Sequence, residues 1–388
     1  MATATLLTST TNPASIAPAP APAGTQLPPA TPPRRKPRVE FIDLTRGLLF
    51  TLMTSSHAIT MTNVPEGQFF NSKWWLPRFW ATLCFIILSG FSVAFLFDWR
   101  NNATVAAAKM RRRAWQLLIV MFFSNIIMLV LSMVARRDLS ELRTAAWWVG
   151  LLTFKTDYSI SAILIPTALL LLACQGAAWL QRHIGLWVFL ALTFTLSFGE
   201  ALLSDRLKQA HVDSWFVHHF ITVGIGNFEV LHLWIFGLIG FALGALWKTL
   251  PPARQWLILA FAAVACIQIR YVWSPETFQR FHVLVHATEG PIYFLALLVS
   301  VLLAVRIKFL HAAVSVPRLI GKYALFSFIA HRIVLQCLHI SYKVAFPANR
   351  PVLEYLIVFP GTIFLIWLLC LLRENGGPLD RGLKRLYL

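Results

Sequence analysis

"RGLLFTLMTSSHAI", residues Arg46–Ile59, has the apolar density of a membrane-spanning helix, yet it opens on a fixed cation and carries an imidazole near its far end. Either group is costly in hydrocarbon, so a span that keeps both has a use for them. At about 100° per residue, the path from Arg46 to His57 turns through about 1100°, or three turns plus about 20°. Both side chains therefore share one face, about 16 Å apart along the axis. Asp43, Phe50 and Thr54 lie on the same stripe. Such a face belongs against a bundle interior or a wet cavity, with Arg46 near one membrane boundary and His57 near or beyond the midplane.

Two uses fit this stripe. Arg46 can snorkel to the interface and pair with Asp43 while His57 bonds to a neighbouring helix. Alternatively the stripe is chemical, because imidazole titrates near neutrality and can accept a proton from a hydroxyl or hold an acyl group.

The whole chain supports a membrane setting. Of its 388 residues 57% are hydrophobic and only 13% charged, and its mean hydropathy is +0.66, outside the range of soluble domains. The formal net charge of +18 could suggest nucleic acid, but the basic residues form short clusters between apolar runs and no aromatic-interleaved patch. They read as topology signals, and no nucleic-acid partner is expected. Cys84, Cys174, Cys266, Cys337 and Cys370 lie in or beside apolar runs without paired spacing, which points to packed small hydrophobes rather than disulfides or metal ligands.

Windows of about 20 apolar residues fall near 41–63, 76–97, 114–134, 159–180, 184–203, 228–248, 254–272, 282–305, 318–342 and 352–373. The expected fold is an all-α, polytopic helical bundle of about ten membrane-spanning helices, filling 38–388. Residues 1–37, rich in Ala, Pro and Thr, read as a disordered cytoplasmic tail. The basic clusters Arg34–Arg38, Arg111–Arg113 and Arg381–Arg385 favour cytoplasmic N- and C-termini, although Arg136, Arg137, Arg143 and Lys155 run against the rule. The stretch 204–227 carries aromatics suited to lying along the interface, and no internal repeat is evident.

Several stretches resemble one known group. "RVEFIDLTRGLLFTLMTSSHAI" resembles the first helix of the transmembrane acyltransferase superfamily, in which an acidic residue, an arginine and a histidine share that helix. "FWATLCFIILSGFSVAF", with Ser89, Gly90 and Phe91, resembles the second-helix signature. "KMRRRAWQLLIV" resembles the basic segment opening the third helix, and "LIGKYALFSFIAHRIVL" the late-helix pattern ending in His331. These matches lie in order between about 38 and 343, and ten helices is the count that the acyltransferase-3 family implies. "RRRAWQLL" and "ISAILIPTALLLL" look most like the branch of periplasmic glucan succinyltransferases, while "IDLTRG" is shared with heparan-glucosaminide-type acetyltransferases. The resemblance departs in lacking a C-terminal hydrolase-like domain, so transfer is expected to finish within the membrane domain.

The resemblance implies a multi-pass enzyme of the bacterial inner membrane that moves an acyl group from cytoplasmic acyl-CoA to an extracytoplasmic carbohydrate hydroxyl. Acyl-CoA would be a co-substrate, with no bound cofactor. On this reading Arg46, oriented by Asp43, holds a donor phosphate or carbonyl. His57 acts as general base, and a covalent acyl-histidine is the less favoured route. Arg111, Arg112 and Arg113 either add phosphate contacts or only flank the span. His331, beside Arg332, meets His57 as a base orienter or a donor to the developing oxyanion, or is a satisfied interhelical histidine.

Glu229 with His232 and His286 with Glu289 form pairs three residues apart near the outer ends of their spans. Glu-x-x-His pairs suggest a di-metal site, but that pattern needs two more carboxylates and the second pair is reversed. Acceptor-sugar contacts or local hydrogen-bonded pairs are the expectation, with no metal. Asn227, Trp215, His218 and His219 could line the same vestibule. The competing class is a proton-coupled transporter or lipid-linked sugar flippase using His57, His331, Glu229 and Glu289. A structural partner of another glycan enzyme is a third reading.

Overall fold

The computed structural model describes residues 39–72, 75, 80–136, 144–152, 163–212, 214–222, 229–346, 348, 350–377 and 380–381. The tail 1–37, Asn227, Arg137, Arg143, Lys155 and the basic cluster Arg34–Arg38 lie outside them. No strand occurs among the described residues. The helices are α1 (Glu40–Thr62), α2 (Trp80–Leu96), α3 (Ala103–Arg136), α4 (Ala145–Leu152), α5 (Leu164–Ile184), α6 (Leu186–Gln209) and α7 (Trp215–Val217). They continue with α8 (Val230–Thr249), α9 (Pro252–Ile267), α10 (Pro275–Arg280), α11 (His282–Arg306), α12 (Ser315–Lys322), α13 (Ala324–Ala345) and α14 (Pro351–Glu374).

Eight helices are long and apolar enough to cross a membrane: α3, α5, α6, α8, α9 with its π-helical extension to Val272, α11, α13 and α14. The apolar α2 is shorter, and α1 is 23 residues long but carries Glu40, Asp43 and Arg46 in its first two turns. Each of the ten expected windows thus coincides with a helix. At 34 residues, α3 runs about 51 Å, longer than about 30 Å of hydrocarbon, so Arg111–Arg113 lie within the helix rather than on a flank. The expected ninth span is broken at Tyr323, which leaves helical geometry (φ −112°, ψ 36°) and divides α12 from α13.

Burial grades from centre to rim. Helix α8 is the hub, with 83% of its apolar window buried, against 17% in α9. On α9, Leu257, Phe261 and Val264 are exposed, a face whose natural solvent is lipid. The hub works because glycines let backbones touch. A Cβ on Gly90 of α2 would lie 1.9 Å from the Gly237 carbonyl oxygen, and one on Gly240 2.1 Å from that of Ile87. Without a hydrophobic drive between helices in lipid, such close packing is a main source of association. Gly90 is the glycine of the Ser-Gly-Phe signature, whose role is therefore steric.

A second close approach sets the site. A Cβ on Gly47 would meet the Pro317 carbonyl oxygen at 1.7 Å, and one on Gly321 the Asp43 carbonyl oxygen at 1.8 Å. Helices α1 and α12 thus cross backbone to backbone, locked further by an Arg318–Glu40 ion pair. α1 ends at Asn63, whose left-handed conformation (φ 53°) donates its N–H to Ile59, a cap that asparagine tolerates.

Contacts assort into two ends of the bundle. The Arg46 end gathers the start of α1, α12 and the end of α14, tied by Lys322 and Tyr323 to Glu374. The opposite, Thr62 end gathers the end of α6 and the starts of α8 and α11. Buried Cys84, Cys174, Cys266 and Cys370 pack within the helices, and Cys337 is exposed. At the Thr62 end Trp215 and Phe216 are exposed beyond α6.

Candidate active site

The stripe on α1 faces the bundle interior. Phe50 is 2% exposed and Thr54 fully buried, with the Thr54 hydroxyl donating to the Phe50 carbonyl at 2.9 Å. At one end of the stripe Arg46 pairs with Asp43 at 3.4 Å. Near the other end the His57 ring stacks on His331 of α13, with centroids 5.6 Å apart and planes at 24°. The Phe50 ring meets His331 edge-on at 5.3 Å. The two histidines, 274 positions apart in sequence, therefore meet ring to ring, with Phe50 packed against His331 on the side toward Arg46.

His331 is fully buried, and its environment selects a tautomer. Nδ1 lies 2.6 Å from the Phe328 carbonyl oxygen, an acceptor only, so Nδ1 carries the proton and donates. Nε2 is then a lone-pair acceptor, and it has no hydrogen-bond partner among the described residues. A buried acceptor without a partner is costly and marks a place where a ligand group can bind. The Arg332 guanidinium, next in sequence, lies close enough to both imidazoles to interact electrostatically. Because Nδ1–H is spent on a carbonyl, neutral His331 can accept a proton at Nε2 but cannot donate there. Of the two roles expected for it, the accepting one fits this tautomer. The near-parallel rings do not aim nitrogens at one another, so the contact between them is stacking rather than a hydrogen bond.

On the Arg46 side the basic cluster divides. Arg111 and Arg112 are exposed, whereas Arg113 is partly buried, bonded to Gln116 at 3.3 Å, and close enough to feel the charge of Arg46. Arg46 and Arg113 thus bring two guanidiniums near one another at this end, each with a polar neighbour of its own, Asp43 and Gln116. An open cleft of about 810 Å³ at the same end is lined by Arg100, Arg182 and Lys248.

Two polar clusters occupy the Thr62 end. Buried Glu354, at the start of α14, pairs with His339 at 2.5 Å and Lys343 at 2.9 Å. Beside it the Tyr355 hydroxyl meets Ser55 and the Trp75 indole N–H, each at 2.8 Å, which fixes α1 within a turn of His57. The second cluster joins the expected pairs. His232 stacks on His286 at 4.0 Å, and His286 meets Glu229 at 3.1 Å. Glu229 also accepts from Lys208 and Ser204. Glu289 is placed differently, toward Arg270 and Tyr293.

Glu200 was not among the expected site residues, yet it completes this cluster, 2.6 Å from His232. Its signal was present: a lone carboxylate within an apolar window is a site hypothesis by itself. Ser55 and Tyr355 were also missed because they lie 300 positions apart, and His339 and Glu354 because they meet across two different helices, α13 and α14.

A model of the acyltransferase-3 family, described as an acyltransferase domain, matches residues 39–371. The chain belongs to the acyltransferase-3 family. That span runs from the first residue of the bundle to near the end of α14, and so contains both histidines and every cluster above. No curated protein and no solved structure matches the chain. It is an integral-membrane acyltransferase, and its chemistry has to be read from its own side chains.

Proposed function

We propose that this acyltransferase takes its acyl group from a cytoplasmic acyl-CoA and delivers it to a hydroxyl of an extracytoplasmic carbohydrate of the cell envelope. The observation that carries the reading is the His57–His331 stack, in which His331 is buried with an unpartnered acceptor nitrogen, one helical stripe away from the neighbouring Arg46 and Arg113. The spacing of about 16 Å along α1 suits a phosphate-bearing donor held at one end with its thioester extended toward the other. In this arrangement the Arg46 end faces the cytoplasm and Asp43 orients the guanidinium. Arg111 and Arg112, exposed at the same end, attract the polyanionic donor. The basic residues favour both termini on that side of a bacterial inner membrane.

His57 takes the acceptor hydroxyl proton as the oxygen attacks the thioester carbonyl. The C–O bond forms, the C–S bond breaks, and the proton passes to the departing thiolate. His331, stacked on His57, holds that imidazole in place, and its Nε2 accepts from a second hydroxyl of the carbohydrate. The acceptor approaches from the Thr62 end, past the polar group of Glu229, His232, His286 and Glu289. Family members of the glucan succinyltransferase type, which the sequence resembles, support a glucan as acceptor.

The test is free-thiol release from acyl-CoA by the purified chain in detergent, with and without periplasmic glucan. Acceptor-dependent thiol release, with label moving from acyl group to glycan, is expected. Movement of glycan or protons across liposomes without thiol release would instead support transport and overturn the reading.

A further inference from the structure

Glu200 of α6, Glu229 at the head of α8, His232 one turn into α8 and His286 of α11 each present one donor atom, and these four atoms lie within 4.8 Å of one another. We infer that they form a binding site for a single divalent transition-metal ion of the zinc class. Two imidazoles with two carboxylates suit zinc, whereas magnesium and calcium favour oxygen ligands alone.

Hydrogen bonding among these residues is incomplete. The Glu200 and His232 side chains are 2% and 4% exposed, and they meet through Glu200 Oε2 and His232 Nδ1. Glu200 Oε1 and His232 Nε2 have no partner among the described residues. A buried carboxylate oxygen and a buried ring nitrogen, both without a proton or cation to share, are what a metal site presents before its ion arrives. The neighbouring Glu354 carboxylate contrasts with this, because a basic side chain stands beside each of its oxygens, His339 at 2.5 Å and Lys343 at 2.9 Å.

The scaffold is firm and the site is reachable. The Ser197 hydroxyl donates to the Ala287 carbonyl at 2.9 Å, joining α6 and α11 beside the cluster. His286 is 34% exposed and borders a cleft of about 210 Å³ that also includes Lys208 and His282, an entry path from the Thr62 end. Zinc donors at about 2.0–2.1 Å from the ion stand about 3.4 Å apart in a tetrahedron. The set must therefore close by rather more than about 1 Å as the ion enters, drawing α6, α8 and α11 together, while Lys208 gives up its hold on Glu229.

The experiment uses the full chain in detergent, stripped with EDTA and titrated with zinc chloride by calorimetry, then with cobalt(II) by visible absorption. One saturable equivalent of zinc and the intense visible bands of four-coordinate cobalt are expected. Glu200→Gln and His232→Ala should each weaken binding by at least about 100-fold, more than loss of an outer-shell partner does, while Glu354→Gln leaves it unchanged. Should either variant fail to give a monodisperse protein, Glu229→Gln, at the more accessible edge, replaces it with the same expected loss. Absence of stoichiometric zinc in the wild-type chain, or equal binding by folded variants, overturns the site.

Discussion

Replacing Gly321 with alanine adds one carbon where α12 crosses α1, and the structure fixes what that carbon meets. It would lie 1.8 Å from the Asp43 carbonyl oxygen and 2.7 Å from the Gly47 nitrogen. These are backbone atoms, so no rotamer change relieves the clash. Restoring even 3.0 Å requires the helices to part by about 1.2 Å, and over-packing of this kind costs about 1–3 kcal/mol. The displaced segment, Asp43 to Gly47, contains Arg46, so its spacing from Arg113 should change by a similar amount. Misplacement near 1 Å can cost up to ~10²-fold in rate. Gly321→Ala should therefore lower the unfolding temperature and raise the acyl-CoA KM about tenfold or more in a thiol-release assay. Gly176→Ala on α5 is the matched control, because its added carbon meets nothing within 4 Å, and it should be neutral or slightly stabilising. A Gly321→Ala protein with wild-type stability and KM would refute the backbone-to-backbone crossing.

Other outcomes follow from the same geometry. Gly90→Val should abolish folding in detergent, seen as loss of the monodisperse peak, since its carbon meets the Gly237 carbonyl oxygen at 1.9 Å. Arg113→Ala should raise the acyl-CoA KM about tenfold with kcat little changed, the signature of lost donor binding. Arg111→Ala should do so less, because its side chain is exposed, and equal effects would argue for diffuse steering alone. Glu354→Leu removes the buried acceptor of His339 and Lys343, both of which reach solvent, and should destabilise by about 1–3 kcal/mol. Unchanged thermal unfolding would show that this cluster contributes nothing.

Helix positions were legible because apolar length is a local property, and every expected span but the ninth, which divides between α12 and α13, coincides with a single helix. The shared face of Arg46 and His57 was legible for the same reason, since periodicity alone puts them there. Partnership across the bundle was not. Gly47 and Gly321 have ordinary neighbours in sequence, and only their apposition shows that each exists to admit a carbonyl. Ser55 and Tyr355 lie 300 positions apart, beyond the reach of any periodic pattern. The break at Tyr323 escaped notice because its one local signal is Gly321 two residues earlier, which lowers helix propensity without by itself ending a helix. Glu200 was readable as an ionisable group in hydrocarbon but not as a partner of His232. The tautomer of His331 depends on the Phe328 carbonyl, a backbone acceptor that becomes visible only once the helix and its rotamer are known.

The central claim is that His57 and His331 act together on the transferred acyl group. Thiol release from acyl-CoA, with acceptor present, should be measured for His57→Ala, His331→Ala and the double variant, all confirmed as monodisperse. Groups that act as a unit are strongly non-additive. His57→Ala should lose activity about 10²–10⁴-fold, as for a general base, and adding His331→Ala should cost little more. Full turnover in His57→Ala, or losses that simply multiply in the double variant, would contradict their joint action.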